Sequence, residues 1–294
     1  MSKRPTLLLV DDTKNNLDIL IELLGDKYEI IVALDGLTAL EIVSNNDIDL
    51  MLLDIMMPQI NGYEVCSIIK SNLKTQEIPI IFITAFSDES SIEKAYKTGG
   101  VDYITKPFIP VELLYRVKTQ LGIHKLIKHL NYISSHDTMT NILNRKSFFK
   151  LGEEKFMEDK DKLFAIMIDI DNFKEINDKH GHHIGDKVIK IVTKTISDSI
   201  SDESIFGRLG GEEFALLYPE NNTVTMMSKM EEIREKIENL NVISDNNEPV
   251  KCTISTGMVK NDESIFTLGD ILKEADKAMY QAKDQGRNKS ILRA

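Results

Sequence analysis

The chain has 294 residues, enough for two domains of ordinary size, with 36 Lys and Arg against 47 Asp and Glu for a formal charge of −11. That balance excludes the broad basic surface with which a protein grips nucleic acid regardless of sequence. The 42% hydrophobic content excludes wholesale disorder, and two cysteines, Cys66 and Cys252, are too few for a disulfide framework or a zinc knuckle. No apolar run approaches the ~18 residues of a membrane span, and the opening Met1-Ser2-Lys3-Arg4-Pro5 has no signal-peptide stretch, so the expectation is a soluble, cytoplasmic, acidic two-domain protein.

In chain order, four short apolar runs come first, and each ends on polar residues. Thr6–Val10 runs into Asp11-Asp12, residues 49–53 into Asp54, 78–83 into Thr84, and 101–104 into Thr105-Lys106-Pro107. Amphipathic stretches near 14–24, 36–45, 61–72 and 89–98 lie between them. Apolar runs alternating with helical stretches predict repeated βα units on a doubly wound parallel sheet, whose ligands bind at the carboxyl ends of the strands. Asp11, Asp12, Asp54, Thr84 and Lys106 each stand at such an end. Singly, an Asp or Thr there caps a turn. Jointly, they describe a pocket in which clustered carboxylates hold Mg2+ while a lysine and a hydroxyl receive an anion with several oxygens. That is the equipment of an aspartate that accepts a phosphoryl group.

These residues resemble the receiver domain of two-component response regulators, over about residues 4–122. The resemblance implies a (βα)5 fold with Asp54 as phosphoacceptor. It implies Asp12 as a direct Mg2+ ligand, Asp11 in support and the backbone carbonyl of Met56 as a further ligand. Thr84 and Lys106 would bind phosphoryl oxygens, Tyr103 would be the aromatic switch, and a histidine kinase or phosphotransfer protein would be the donor.

From Pro110 to about Ser134, apolar residues including Leu114, Val117, Leu121, Ile123, Ile127 and Leu130 continue a helical pattern, with a phase slip near Gly122. Residues 123–134 read either as a plain linker or as a short parallel coiled coil joining two protomers. The six histidines, His124, His129, His136, His180, His182 and His183, cluster without a matching carboxylate or cysteine pattern, so loop hydrogen bonding is preferred over metal ligation.

The second half carries a different constellation. An apolar strand at 164–168 runs into Asp169-Ile170-Asp171-Asn172-Phe173-Lys174, which is no EF-hand loop because Phe173 and Lys174 stand where an acidic residue and the turn glycine belong. Runs at 205–209 and 214–218 flank Gly210-Gly211-Glu212-Glu213, the pattern of a tight hairpin. By itself it reads as an exposed acidic tip. Laid beside the strand ending at Asp169, it brings acidic groups to one edge, as Mg2+ and a nucleoside triphosphate require. Lys283 and Arg287, four apart near the end of a helical stretch, suit either phosphates or the helix C-terminus. The chain has no glycine-rich phosphate loop and no nucleophile elbow, so nucleotide chemistry here falls to metal and carboxylate.

Gly210-Gly211-Glu212-Glu213-Phe214 is similar to the signature of the GGDEF family of diguanylate cyclases. The flanks match as well: His136-Asp137 to Asn144-Arg145, Asp169 to Asp178, Gly181-His182, Gly185-Asp186, and Ala275-Asp276 to Gly286-Arg287-Asn288. The resemblance covers about residues 134–292, with the domain set at 135–294. It implies a nucleotide-cyclase or palm-like α+β fold, an antiparallel sheet with helices on one face. It implies Mg2+ held by Asp169, Glu212 and the carbonyl of Ile170, with Glu213 supporting the metal or helping to deprotonate the attacking hydroxyl. Asn177 and Asp186 would read guanine, and Lys283, Arg287 and Lys174 would hold the phosphates of GTP. The implied reaction condenses two GTP into cyclic di-GMP, each half held by one protomer of a homodimer. A catalytically silent nucleotide-binding module and a cyclase of relaxed base choice are the runners-up.

Two departures from the family pattern stand out. Asp137-Thr-Met139-Thr140-Asn141-Ile142 replaces the usual Asp-x-Leu-Thr-Gly-Leu, and Asn141 fits the glycine position if the backbone there is left-handed. Ser201 and Ser204 stand where the family's product-inhibition motif has Arg and Asp, so weak or absent product inhibition is expected.

Overall fold

The structure, a computed structural model, describes residues 4–85, 89–159, 162–262 and 265–293. The first three residues, part of the chain start read above, lie outside that set. The chain divides into two compact units at Leu130/Asn131.

The first unit holds β1 (Thr6–Val10), α1 (Lys14–Leu24), β2 (Glu29–Ala33), α2 (Gly36–Asn45), β3 (Leu50–Asp54), α3 (Gly62–Ser71), β4 (Ile80–Thr84), α4 (Glu89–Lys97), β5 (Asp102–Thr105) and the start of α5 (Pro110–Ser135). All strands pair in parallel in the order β2-β1-β3-β4-β5. Both faces are covered, which is why its central strands read as unbroken apolar runs. Leu8, Val10, Met51, Leu53 and Phe82 pack with residues of α2, α3 and α4. Leu7, Leu9, Leu50, Leu52, Ile81 and Ile83 pack with α1 and α5. Each such buried side chain stabilises by about 1.5–3 kcal/mol. Strand β2 went undelimited in the sequence because it is an edge strand, half-exposed, with Glu29 opening it. A capping box starts α3: the Glu64 N–H donates to Asn61 Oδ1 at 3.1 Å, and the Asn61 N–H donates to Glu64 Oε2 at 2.8 Å.

The helical pattern from Pro110 is a single 26-residue helix, and no break marks Gly122. No helix among the described residues is long and apolar enough to cross a membrane.

The second unit is built from β6 (Leu143–Asn144), α6 (Arg145–Glu158), β7 (Leu163–Ile170), α7 (Phe173–His180), α8 (His182–Ser197), β8 (Ile205–Gly210), β9 (Glu213–Pro219), α9 (Thr223–Glu238), β10 (Val242–Ile243), β11 (Pro249–Val250), β12 (Ile254–Lys260), α10 (Leu268–Asp284) and β13 (Ser290–Arg293). Six strands pair in the order β13-β12-β7-β9-β8-β6. The expected sheet needs two corrections. Its centre is antiparallel, but β13 and β6 join in parallel at the edges. Helices cover both faces: Phe164, Ile166 and Ile168 pack with residues of α7, α8 and α9, while Leu163, Ala165 and Met167 pack with α6 and α10. With both sides buried, all eight residues of β7 leave solvent.

Loop hydrogen bonding is not where the histidines at 180–183 belong, because helices take them up. His180 closes α7 and His182-His183 open α8, leaving Gly181, at φ 83, as the whole connection.

Candidate functional site

In the first unit the strand order reverses direction at β1 and β3, and the crevice at such a switch point is where a doubly wound sheet binds ligand. Asp11, Asp12 and Asp54 converge there, each offering an oxygen within 4.8 Å of the others. Asp11 is held from beneath: the Thr13 N–H and the Asn16 amide donate to Oδ1, each at 2.9 Å. Lys106 reaches in from the loop after β5, with Nζ 2.8 Å from Asp11 and 3.0 Å from Asp54. Its backbone N–H donates to Thr84 O at 2.8 Å, and Lys106-Pro107 is cis. Burial pushes the Asp54 carboxyl above its usual range; Lys106 opposes that, and Asp11 and Asp12 add to it. Burial works against the Lys106 charge, but its bonds to Asp11 and Asp54 hold its pKa above the ordinary value.

Gly62 lets α3 start tight against the end of β3, since a Cβ there would stand 2.2 Å from the backbone carbonyl oxygen of Asp54. Thr84 is buried at the end of β4. Tyr103 sits half-buried on β5, with Tyr96 edge-on at 6.2 Å and the Arg116 guanidinium 5.9 Å from its ring centroid. Met56 lies two residues beyond Asp54 with its side chain exposed.

In the second unit β8 and β9 form the expected hairpin, Gly210 paired with Glu213, and Gly211 at φ 38 makes the turn. Strand β7 lies alongside, with Asp169 directly opposite Glu213, and the Ile170 N–H donates to Glu212 O at 3.3 Å. The three acidic residues therefore meet at one end of the sheet's two central strands. Asp169 is buried, with Lys283 Nζ 2.8 Å from its Oδ2. Burial raises the Asp169 carboxyl to about 6 against the pull of Lys283, with Glu212 and Glu213 adding to the rise.

Both donor sets are hard oxygens suited to Mg2+, and in each a lysine ammonium already lies on a buried carboxylate. Among the described residues only Asp11, Asp12 and Asp54 come together as a group of three acidic ligands, so the first unit fits the expected ion as it stands, while the second brings donors of the right chemistry to one place.

Asn177 on α7 packs against Gly185, the residue before Asp186 on α8. A Cβ on Gly185 would stand 1.9 Å from Asn177 Oδ1. Lys174 is exposed on the first turn of α7. Lys283 and Arg287 do not share a helix face, contrary to expectation. Gly286, at φ 107, stops α10, and Arg287 follows it in the left-handed region at φ 63. Among the described residues the Arg287 guanidinium makes no ion pair.

Three residues of the site were not foreseen. Arg208 donates to Asp137 Oδ1 at 3.0 Å and to Gly211 O at 2.9 Å, tying the hairpin turn to the 137–142 segment. Its only signal was its place two residues before the paired glycines. Asp171 and Arg234 converge on Asn288. Asp171 lay in view beside Asp169, whereas nothing in the sequence marked Arg234. Asn141 has φ 60, the left-handed backbone its substitution for glycine required. Ser201 and Ser204 hydrogen-bond each other, Oγ to Oγ, at 2.9 Å.

Comparison with known proteins follows the same division. Residues 134–289 match the family model "Diguanylate cyclase, GGDEF domain", more than half of the chain, and residues 7–118 match the response regulator receiver domain. The probable diguanylate cyclase DgcT of Escherichia coli is 35% identical over 212 residues, covering 71% of this chain and 45% of that protein. The response regulator PleD of Caulobacter vibrioides is 27% identical over 301 residues, covering 98% of this chain and 66% of that one. The chain thus spans less than two thirds of either relative. Among solved structures, the coiled coil and GGDEF domain of DgcB from Caulobacter crescentus, in complex with c-di-GMP, superposes with a TM-score of 0.59 at 25% identity, covering 62% of this chain and 98% of that one.

Proposed function

The chain belongs to the GGDEF diguanylate cyclase family and carries a response regulator receiver domain, and from that premise we propose that it is a phosphorylation-activated diguanylate cyclase, making cyclic di-GMP and pyrophosphate from two GTP as a homodimer. Residues 4–122 are the receiver, 123–134 the connector and 135–294 the cyclase domain. The observation that carries the reading is the place where β7 ends beside the start of β9: there Asp169 faces Glu213 next to Glu212, and Lys283 Nζ lies 2.8 Å from Asp169.

In this reading Asp169, Glu212 and the Ile170 carbonyl hold Mg2+. The ion, when bound, stabilises charge on the entering and leaving oxygens. Asn177 and Asp186 pair with the guanine edge, offering an acceptor and donor that adenine does not match. Lys283 and Arg287 hold phosphates, with Lys174 in support, so that the 3′-hydroxyl of one GTP lies in line with the α-phosphate of the other. Glu213, exposed at the start of β9, supports the metal or takes the proton of that hydroxyl. One domain holds one GTP, so catalysis needs two domains face to face, and a twofold dimer supplies them.

The exposed stripe on α5 supports such pairing. Ile123, Leu126, Leu130 and Ile133 are spaced 3-4-3 and are 45%, 63%, 64% and 46% exposed, a coiled-coil seam awaiting a second copy. In the receiver, Asp54 accepts the phosphoryl group from a histidine kinase or phosphotransfer protein, with Asp11, Asp12 and the Met56 carbonyl at the Mg2+. Thr84 and Lys106 bind its oxygens, and Tyr103 switches, biasing the dimer toward apposed sites. The reading places the protein in the cytoplasm and gives it no nucleic-acid partner.

The test incubates the full chain with Mg2+ and GTP, with and without a beryllofluoride phosphoryl mimic, and identifies the product. Cyclic di-GMP formed faster with the mimic is the expected result. Equal rates would sink the activation, and GTP binding without a dinucleotide product would leave a nucleotide-sensing module.

A further inference from the structure

The loop after α10 is an unusual piece of backbone. Gly286, Arg287 and Asn288 all have positive φ, at 107, 63 and 48; glycine and asparagine visit that region readily, but the arginine between them does not. Such a run persists only where its surroundings over-determine it. Two buried charges do so here. Asp171, 5% exposed, accepts the Asn288 backbone N–H at 2.9 Å and the hydroxyls of Thr253 and Ser255 at 2.7 and 2.6 Å. Arg234 on α9, 8% exposed, donates from Nη1 to the Asn288 Oδ1 at 2.8 Å, and the Asn288 amide donates to Glu238 Oε1 at 2.8 Å. Arg234 is itself fixed by Glu231 and Glu238, at 2.6 and 2.7 Å. Asn288 is therefore gripped through its main chain from one side and its side chain from the other.

Burying a carboxylate and a guanidinium is costly, and satisfying them on a surface turn ties that cost to the geometry of the turn. The residue that this grip orients is Arg287, whose backbone N–H is pinned to Ala282 O at 3.0 Å while its side chain is exposed. We infer that Asp171 and Arg234 are positioning residues that clamp Asn288 and thereby aim the Arg287 guanidinium at the nucleotide's phosphates. The inference rests on the reading of Arg287 as a phosphate-holding residue. A guanidinium rewards fixed geometry more than a flexible ammonium does, so loosening its base weakens phosphate binding selectively.

The experiment measures, in the full chain with Mg2+, binding of 3′-deoxy-GTP and of GMP to the wild type and to Asn288→Gly, Arg234→Gln and Arg287→Ala. Asn288→Gly keeps a residue at ease with positive φ while removing the side-chain grip, so it guards against simple unfolding of the arginine variant. The expected result is roughly tenfold weaker binding of the triphosphate in each single variant and less than about twofold change for GMP. Adding Asn288→Gly to Arg287→Ala should weaken triphosphate binding by less than about twofold more, because the two act as one unit. Losses that multiply, or equal losses for GMP and the triphosphate, would overturn the inference and leave the clamp as an anchor for β13. Unchanged triphosphate binding in Arg287→Ala would overturn the phosphate-holding reading itself, and the inference with it.

Discussion

Lys283 Nζ lies 2.8 Å from Asp169 Oδ2, so the buried carboxylate at the end of β7 is balanced by a cation from the end of α10. The balance is incomplete, since burial still holds the Asp169 carboxyl at about 6. Its charge is therefore a burden on the metal-free fold.

The sign of that burden sets the first prediction. A carboxyl whose pKa is raised in the folded state binds its proton more tightly there, so its ionisation lowers stability as pH rises from the ordinary 3.8 through about 6. With the metal removed by EDTA, Asp169→Asn should be more stable than the wild type at pH 7–8, by about 2–3 kcal/mol at most, and the difference should fade towards pH 4. The same variant should have no measurable cyclase activity. Urea or thermal melts of the cyclase half across pH check this; a variant less stable at neutral pH contradicts it.

At Gly185 a new methyl would stand 1.9 Å from Asn177 Oδ1 and 3.1 Å from Phe173 Cζ. The near atom is the end of a flexible side chain, so the fold yields by turning Asn177 away. Alanine near the start of α8 also gains part of the roughly 1 kcal/mol of helix propensity that separates it from glycine in a helix interior. Gly185→Ala should therefore melt close to the wild type, while KM for GTP rises about tenfold and preference over ATP falls. Steady-state kinetics with both nucleotides decides it; unchanged KM would separate Asn177 from base recognition.

On α5, replacing Leu126 and Leu130 with lysine puts two charges into the exposed apolar stripe. The expected result is a monomer in sedimentation velocity and a cyclase rate at least about tenfold lower at equal concentration. GTP-analogue binding per chain should stay within about twofold. A dimer that survives both lysines would place the pairing surface elsewhere.

Ser201 and Ser204 bond each other and offer the product no charge. Added cyclic di-GMP should therefore slow the wild type little, whereas Ser201→Arg with Ser204→Asp should create inhibition, the charged pair supplying bonds about twice as strong as neutral ones. Initial rates against added product test it; strong inhibition of the wild type would mean that other residues bind product.

The legible parts of the protein are those whose pattern is local. Strands β1, β3 and β4 stood out because burial on both faces demands unbroken apolar runs, and the aspartates ending the first two, Asp11 and Asp54, meet in one pocket. Strand β2, half-exposed at the sheet edge, gave no such run. The hairpin at Gly210-Gly211 was readable because the turn itself dictates residue type. The second sheet's covering was misjudged, since helices on one face and helices on both faces leave similar periodicities along the chain. Arg287 was misplaced on a helix face because four-residue spacing outweighed Gly286, the stop signal between the two residues.

Strand-end carboxylates and the glycine-paired hairpin by themselves carried the resemblance to the two families and marked the acidic residues at each strand end, because each motif is a short local run. Only the tertiary structure decided that Lys283 lies on Asp169, that Gly185 backs Asn177, and that Arg234 and Asp171 meet at Asn288 across 54 and 117 positions. Contacts between buried charges so far apart are set by how sheet and helices pack, and that packing leaves no periodicity in the chain to read.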